Sequence, residues 1–303
     1  MPEPKVAIVI LHFDQREALV ACLESCWKIH YDNYEIIVVE NGSPSRADWR
    51  ELTSGARDIR VIRSATNVGY ARGNNLGIRD ACERGAAYIL LLNDDTVVAP
   101  EFLQFLVEVG ERAPSVGALG PVVFCLDEPD RVSFAGAEFD RDACEVRSLE
   151  YRDAGSALQG TDYVTGCCLL AKRETIERVG LLDERFFLYW EDTDWGLRVT
   201  TGGLRNVVVP AARIWHRGFV SSGGVDSPVR VYHKTRSHLL FARRHALHAL
   251  PRLHRRFARD VAWLVLKSHT DGRLSVARAM LAAVRDFHLG RTGPGPLWLW
   301  RKR

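Results

Sequence analysis

Two carboxylate clusters stand where the chain could do chemistry. The first, Asn93-Asp94-Asp95, ends the apolar run 87–92. Acidic oxygens of this kind suit a hard divalent cation, and Mg²⁺ commonly shares its shell with substrate phosphates. An Asx turn, in which Asn and Asp bond their own backbone, is the alternative reading of the triplet. The second cluster is Glu191-Asp192-Thr193-Asp194. At the head of a helix such residues act as caps and complement the helix dipole, and Asp194 with Arg198 has the spacing of an i,i+4 pair. A third stretch, 67–77, holds three Gly, three Asn and Arg72. It matches neither GxGxxG nor the P-loop, so it supports neither a dinucleotide site nor an ATPase. His216, beside Trp215, stands alone behind a strand, where a histidine is ordinarily a hydrogen-bonded core residue.

These residues need elements to hold them. The short β-branched runs 6–11, 34–39, 59–63 and 87–92 read as buried strands. Between them lie helical patterns over 15–29, 46–56 and from the 67–77 loop to about residue 84. Strand–helix–strand repeated in this way gives an α/β fold with a mostly parallel, doubly wound sheet, whose ligands sit at the carboxyl ends of the strands. Asn93-Asp94-Asp95 falls on that edge. Further on, 100–112 reads as a helix, 116–124 as a strand, 132–139 and 144–149 as a hairpin. The runs 163–170 and 206–209 read as strands, with 213–216 as a separate short segment. From about residue 229 the pattern is helical, punctuated by Pro251 and Gly272.

Apolar residues make up 47% of the 303-residue chain and charged residues 26%, an ordinary globular balance. The seven cysteines form no CxxC pair, which reads as buried thiols in a reduced, cytoplasmic protein. The N-terminus lacks the pattern of a signal peptide, and no apolar run approaches the length of a membrane span. The net charge of +3 conceals a split: residues 230–303 carry +14, the remainder −11, and seven of the ten histidines lie in the basic tail. Such a division suits a module for an anionic surface attached to an acidic body.

The stretches 38–43, 67–75, 92–96, 164–166, 183–189, 191–194 and 210–216, taken in order and at their spacing, resemble the family 2 glycosyltransferases of the GT-A fold, especially the bacterial rhamnosyltransferase-like branch. The resemblance covers roughly residues 5–245. It implies a nucleotide-diphospho-sugar transferase with a Rossmann-like sheet: a GT-A domain over 1–228, with a nucleotide half (1–98) and an acceptor half (99–228), and a basic helical extension over 229–303. It also implies an inverting transfer from a nucleotide-sugar donor (a dTDP- or UDP-sugar, with rhamnose favoured by the branch) to a glycan or lipid-linked acceptor, assisted by Mn²⁺ or Mg²⁺. On this resemblance Asp95 and His216 are metal ligands. Asn93 and Asp94 face the ribose and donor sugar, while His12, Phe13, Asp14, Glu40, Asn67 and Arg72 lie by the nucleotide. Asp192 is the general base that takes the acceptor's proton. Thr165, Gly166, Trp190 and Glu191 are on the acceptor side. The chain departs from the family pattern in Asn93, where Asp is usual, and in Glu40, which carries one methylene more than the expected Asp.

The tail interleaves Arg with Leu, Val and Trp, as in 252–266. That composition suits a helix lying on an anionic membrane, here the inner face. A solvated basic face and a homo-oligomer interface are the alternatives. Nucleic-acid binding through the tail has no accompanying motif, and the acidic body opposes it. A nucleotide-sugar-binding protein without turnover is the remaining rival.

Overall fold

Four parallel strands set the frame: β1 (Val6–His12), β2 (Tyr34–Asn41), β3 (Ile59–Ser64) and β4 (Tyr88–Asn93). The computed structural model describes residues 3–44, 59–151, 157–218, 227–267 and 271–300; the helix expected over 46–56 lies outside them. The sheet continues through β11 (Cys168–Lys172), β6 (Val116–Cys125), β12 (Arg205–His216) and β10 (Gln159–Thr161), in the order β3-β2-β1-β4-β11-β6-β12-β10. Only β11 and β10 run against the others on this path. Two short strands, β5 (Thr96–Val98) on β12 and β7 (Val132–Phe134) on β6, complete it, and β8 (Ala137–Asp140) with β9 (Glu145–Ser148) forms a separate hairpin. The sheet is therefore mixed but mostly parallel.

Alternation along β1 builds two cores. Ile8 and Ile10 face α1 (Arg16–Cys26) and α3 (Phe102–Arg112), burying Leu19, Leu23, Phe102 and Leu106. Ala7 and Val9 face α2 (Tyr70–Glu83), α4 (Arg173–Val179) and α5 (Glu191–Thr201), burying Ile78, Ile176, Trp195 and Val199. Near-continuous apolar runs are what strands covered on both faces require, and each fully buried aliphatic side chain contributes about 1.5–3 kcal/mol of transfer free energy. Gly77 lets α2 lie close on β1: a Cβ there would meet Val9 Cγ1 at 2.3 Å.

The C-terminal region is α6 (Pro228–His245), α7 (Leu250–Leu266) and α8 (Asp271–His288), so the expected boundary at 228/229 falls at the head of α6. Leu239, Phe241 and Leu253 pack with Phe186 and Leu197, so α6 and α7 cover the outer side of α5. A buried ion cluster joins the same elements. Asp194, fully buried, is 2.9 Å from Arg198 Nε, 3.1 Å from Arg244 Nη1 and 2.8 Å from His245 Nε2. No described helix is long and apolar enough to cross a membrane.

Three elements differ from the sequence reading. The expected hairpin strand over 132–139 is divided: β7 pairs with β6, and only β8 pairs with β9. The run 163–170 is not one strand: β11 begins only at Cys168, and Tyr163–Cys167 is loop. Conversely, 206–209 and 213–216 are one strand, β12, whose register on β6 shifts between Val209 and Arg213. That bulge absorbs Pro210, which has no N–H for the ladder.

Candidate active site

A cleft of about 360 Å³ opens along the carboxyl ends of β1, β2 and β4. From the first half of the chain its lining takes Leu11, Phe13, Asn41, Asn67, Gly69 and the triplet Asn93-Asp94-Asp95. From the second half come Thr165–Cys167, Phe187–Tyr189, Glu191, Asp192 and, at the end of β12, His216. Strands of a parallel sheet end here with their ligand-facing loops splayed apart, the usual place for a ligand in this architecture.

The triplet is shared among different partners. Asp94 is buried, with Oδ2 2.8 Å from His12 Nδ1. Burial pushes its pKa up, opposed by His12. Asp95 Oδ1 lies 3.0 Å from His216 Nε2, and Asn93 Nδ2 lies 3.3 Å from the same nitrogen. The pairing of β5 with the end of β12 brings these residues together, since His216 is in register with Thr96. Thus a carboxylate and an imidazole separated by more than a hundred residues converge on the cleft. Among the described residues no group of three or more His, Cys, Asp or Glu could hold a metal. Asp95 and His216 offer one oxygen and one nitrogen to a cation. That set fits Mn²⁺ or Mg²⁺ where phosphate oxygens and water supply the rest.

Asp192 lines the cleft from the first turn of α5. Its Oδ2 accepts from Gly166 N–H at 2.9 Å, and its Oδ1 from Thr193 N–H at 2.6 Å. These bonds lower the pKa, but burial outweighs them and holds it above the ordinary carboxylate value. Glu191 is buried beside it, with one carboxylate oxygen lacking a partner among the described residues; burial, then the Asp192 charge, pushes its pKa well up. The backbone entering the helix is strained, because Tyr189 and Trp190 have φ of 68° and 71°. Left-handed conformations cost a non-glycine residue about 1–3 kcal/mol. They are held by packing: Trp190 stacks on His238 at 4.2 Å and meets Phe241 at 4.6 Å.

The loop 67–69 is braced from below. Asn67 Oδ1 accepts from Gly69 N–H at 2.9 Å and from Asn41 Nδ2 at 3.2 Å, and Asn41 Oδ1 accepts from Val68 N–H at 3.0 Å. Gly69 has φ of 88°, and a Cβ there would lie 2.5 Å from the Phe187 carbonyl oxygen. Tyr70 then donates its hydroxyl to the Gly166 carbonyl, linking α2 to the loop before β11.

The structure gathers Phe13, Asn67, Asn93, Asp94, Asp95, Thr165, Gly166, Glu191, Asp192 and His216 around one cleft. Five other expected residues do not line it. His12 is buried behind Asp94. Asp14 is exposed, with its N–H bonded to Ser43 Oγ. Glu40 accepts from the Ser43 N–H at 2.6 Å. Arg72 is exposed and its Nε lies 3.6 Å from Glu184. Trp190 turns its ring to the C-terminal helices instead of the cleft. Asn41, Tyr70, Phe187, Tyr189 and Trp300 line the cleft without having been singled out from the sequence.

Residues 7–180, more than half of the chain, match Glycosyl transferase family 2. The uncharacterized protein y4gI of Sinorhizobium fredii is 32% identical over 74% of this chain, which spans only about a quarter (26%) of that relative. The N-acetylglucosaminyl-diphospho-decaprenol L-rhamnosyltransferase of Mycobacterium tuberculosis is 24% identical over 70% of this chain and 75% of its own length. The dTDP-rhamnosyl transferase RfbF of Shigella flexneri is 24% identical over 70% and 72%. Among solved structures, GalNAc-T7 with UDP, GalNAc and Mn²⁺ superposes with a TM-score of 0.65 at 14% identity, covering 80% of this chain and 48% of that one. TarS 1–349 of S. aureus superposes with a TM-score of 0.58 at 12% identity over 95% and 92%. With its mostly parallel sheet and carboxylate-lined cleft on a GT-A fold, the chain belongs to glycosyl transferase family 2.

Proposed function

We propose that the chain transfers a sugar from a nucleoside diphosphate donor to a hydroxyl of a glycan or lipid-linked saccharide, with inversion at the anomeric carbon. One observation carries the reading: Asp95, paired with His216, lines the same cleft as Asp192. The first pair would hold Mn²⁺ or Mg²⁺. When bound, the metal would neutralise charge on the leaving diphosphate. Asp192 accepts the proton of the attacking hydroxyl. Two backbone N–H bonds fix the carboxylate in place, and burial raises its basicity toward neutral pH, where a general base is most effective. Asn93 and Asp94 face the donor's ribose and sugar, and Asn67 with Phe13 borders the nucleotide. Thr165, Gly166 and Glu191 border the acceptor.

The rhamnosyltransferase names of two relatives favour a dTDP-sugar, rhamnose first, in cell-surface polysaccharide synthesis. A lipid-linked acceptor accords with the tail. Trp263, Leu266, Leu274 and Leu281 are exposed on α7 and α8. Arg273 lies over the Trp263 ring. Apolar groups set among cations suit peripheral contact with an anionic inner membrane surface.

Thermal shift with nucleoside diphosphates and nucleotide-sugars, with and without Mn²⁺, tests the reading. Binding to the native state raises the melting temperature. A metal-dependent rise with dTDP or UDP is expected; no rise with any nucleotide would overturn it. Binding without product release, in wild type as in Asp192→Asn, would instead mark a nucleotide-sugar-binding protein without turnover.

A further inference from the structure

Part of the cleft wall comes from far beyond residues 7–180. Trp300, in the last described turn, lines the cleft beside Phe187–Tyr189, together with Val229 from the start of α6. Its position is built in. Leu299 is buried with Tyr232, Ala279 and Ala283, which pins the segment to α6 and α8. The indole N–H donates to the Pro294 carbonyl at 2.8 Å. The ring meets Phe187 edge-on at 6.2 Å and lies 6.0 Å from His233, which itself stacks on Phe187 at 4.7 Å. Trp300 nevertheless remains only partly buried. A large rigid ring held half-open on a cleft wall provides contact area at little entropic cost.

Phe13, Asn67 and the Asn93–Asp95 triplet are assigned to the donor. Phe187, which Trp300 meets edge-on, leads through Tyr189 into Glu191 and Asp192, and all of them line the cleft. A sugar whose hydroxyl reaches Asp192 therefore enters a cleft that Trp300 also lines. The C–H face of a pyranose ring is apolar and its rim polar. An indole matches the face, and the Glu191 and Asp192 carboxylates match the rim.

We propose that Trp300 is a specificity-determining residue of the acceptor subsite, with its indole packed on the C–H face of the acceptor saccharide. This rests on the reading of Asp192 as the base for the acceptor hydroxyl. The C-terminal region would then select the acceptor as well as cover α5.

The test uses the full chain, dTDP-rhamnose, Mn²⁺ and a short-chain polyprenyl diphosphate N-acetylglucosamine as acceptor probe. Trp300→Ala should raise the acceptor KM by about three- to tenfold, the loss expected for one aromatic contact. Donor KM should rise by less than the acceptor KM. Trp300→Phe should recover most of the loss, and melting temperatures of both variants report whether the fold is intact. An unchanged acceptor KM in Trp300→Ala, or a donor KM that rises equally, overturns the proposal. A second readout does not need turnover. In protein labelled with 5-fluorotryptophan, the ¹⁹F line missing from Trp300→Phe should shift on adding the acceptor probe alone, and no shift at saturation overturns the proposal. If wild type releases no nucleoside diphosphate from any donor, the transfer reading fails, while the ¹⁹F line still decides the role of Trp300.

Discussion

Asp192 and Asp194 lie two residues apart on one helical turn, and their surroundings predict opposite consequences of the same substitution. Asp194 is fully buried and meets two guanidinium groups, Arg198 and Arg244, and the His245 ring within 3.1 Å. Asp194→Asn keeps the shape and removes the charge. Breaking a buried ion pair costs about 3–5 kcal/mol. The Arg244 side chain is 36% exposed and can recover hydration, which places the loss near the lower end. At about 2–4 °C per kcal/mol for a chain of this class, the melting temperature should fall by roughly 6–12 °C. Asp192→Asn differs. The amide retains one acceptor for either the Gly166 or the Thr193 N–H, and loss of the other bond costs about 1 kcal/mol. Removing a carboxylate whose charged form burial already disfavours offsets that loss. Its stability should therefore stay within about 1 kcal/mol of wild type, while transfer falls about 10²- to 10⁴-fold, the usual contribution of a general base. Calorimetry and a nucleoside diphosphate release assay on both variants separate the roles. An Asp192→Asn enzyme within tenfold of wild type, or an Asp194→Asn enzyme that melts normally yet has lost transfer, would overturn these two roles.

Three further outcomes follow from the geometry. Because burial holds Asp192 above its ordinary value of 3.8, and only the ionised form accepts a proton, kcat/KM should fall as pH drops through an inflection above that value; a rate independent of pH down to pH 4 would contradict it. Asp95→Asn or His216→Ala should abolish the Mn²⁺-dependent part of nucleoside diphosphate stabilisation in thermal shift while leaving the metal-free melting temperature within a few degrees. Gly77→Ala should destabilise by about 1–3 kcal/mol in urea unfolding, since the new Cβ would stand 2.3 Å from Val9 Cγ1, and a neutral result would show that α2 can move off β1.

The buried strands were legible because covered parallel strands must be continuous apolar runs, and β1, β2 and β4 are. The triplet at the end of β4 was legible for the same reason, since an apolar run that stops at three polar residues marks the sheet edge. Period and propensity did not reveal that β12 is one strand. Pro210 reads as a break, and only the bulge against β6 shows that the ladder resumes at Arg213. Thr165 and Gly166 were assigned to a strand because the run 163–170 is apolar, yet they form the loop that bonds Asp192 and Tyr70. The convergence of His216 on Asp95 depends on the β5–β12 pairing, a contact across more than a hundred residues that no local pattern encodes. The left-handed pair Tyr189–Trp190 is invisible for a related reason. Neither residue favours φ above zero, and tertiary packing against His238 and Phe241 overrides that preference. Trp300 reaches the cleft only because α6 and α8 bring the C-terminal region back to it.

In the proposed reaction Asp192 directs an acceptor hydroxyl to the anomeric carbon of a sugar leaving a nucleoside diphosphate, whose charge a metal at Asp95 and His216 would neutralise. Its most direct test is the anomeric configuration of the product, read by NMR coupling constants after incubation with a nucleotide-sugar, Mn²⁺ and a saccharide diphospholipid. A single attack from the face opposite the leaving group predicts a product of inverted configuration, formed by wild type and absent with Asp192→Asn. A product that retains the donor's configuration, or inverted product formed equally well by Asp192→Asn, would contradict the claim.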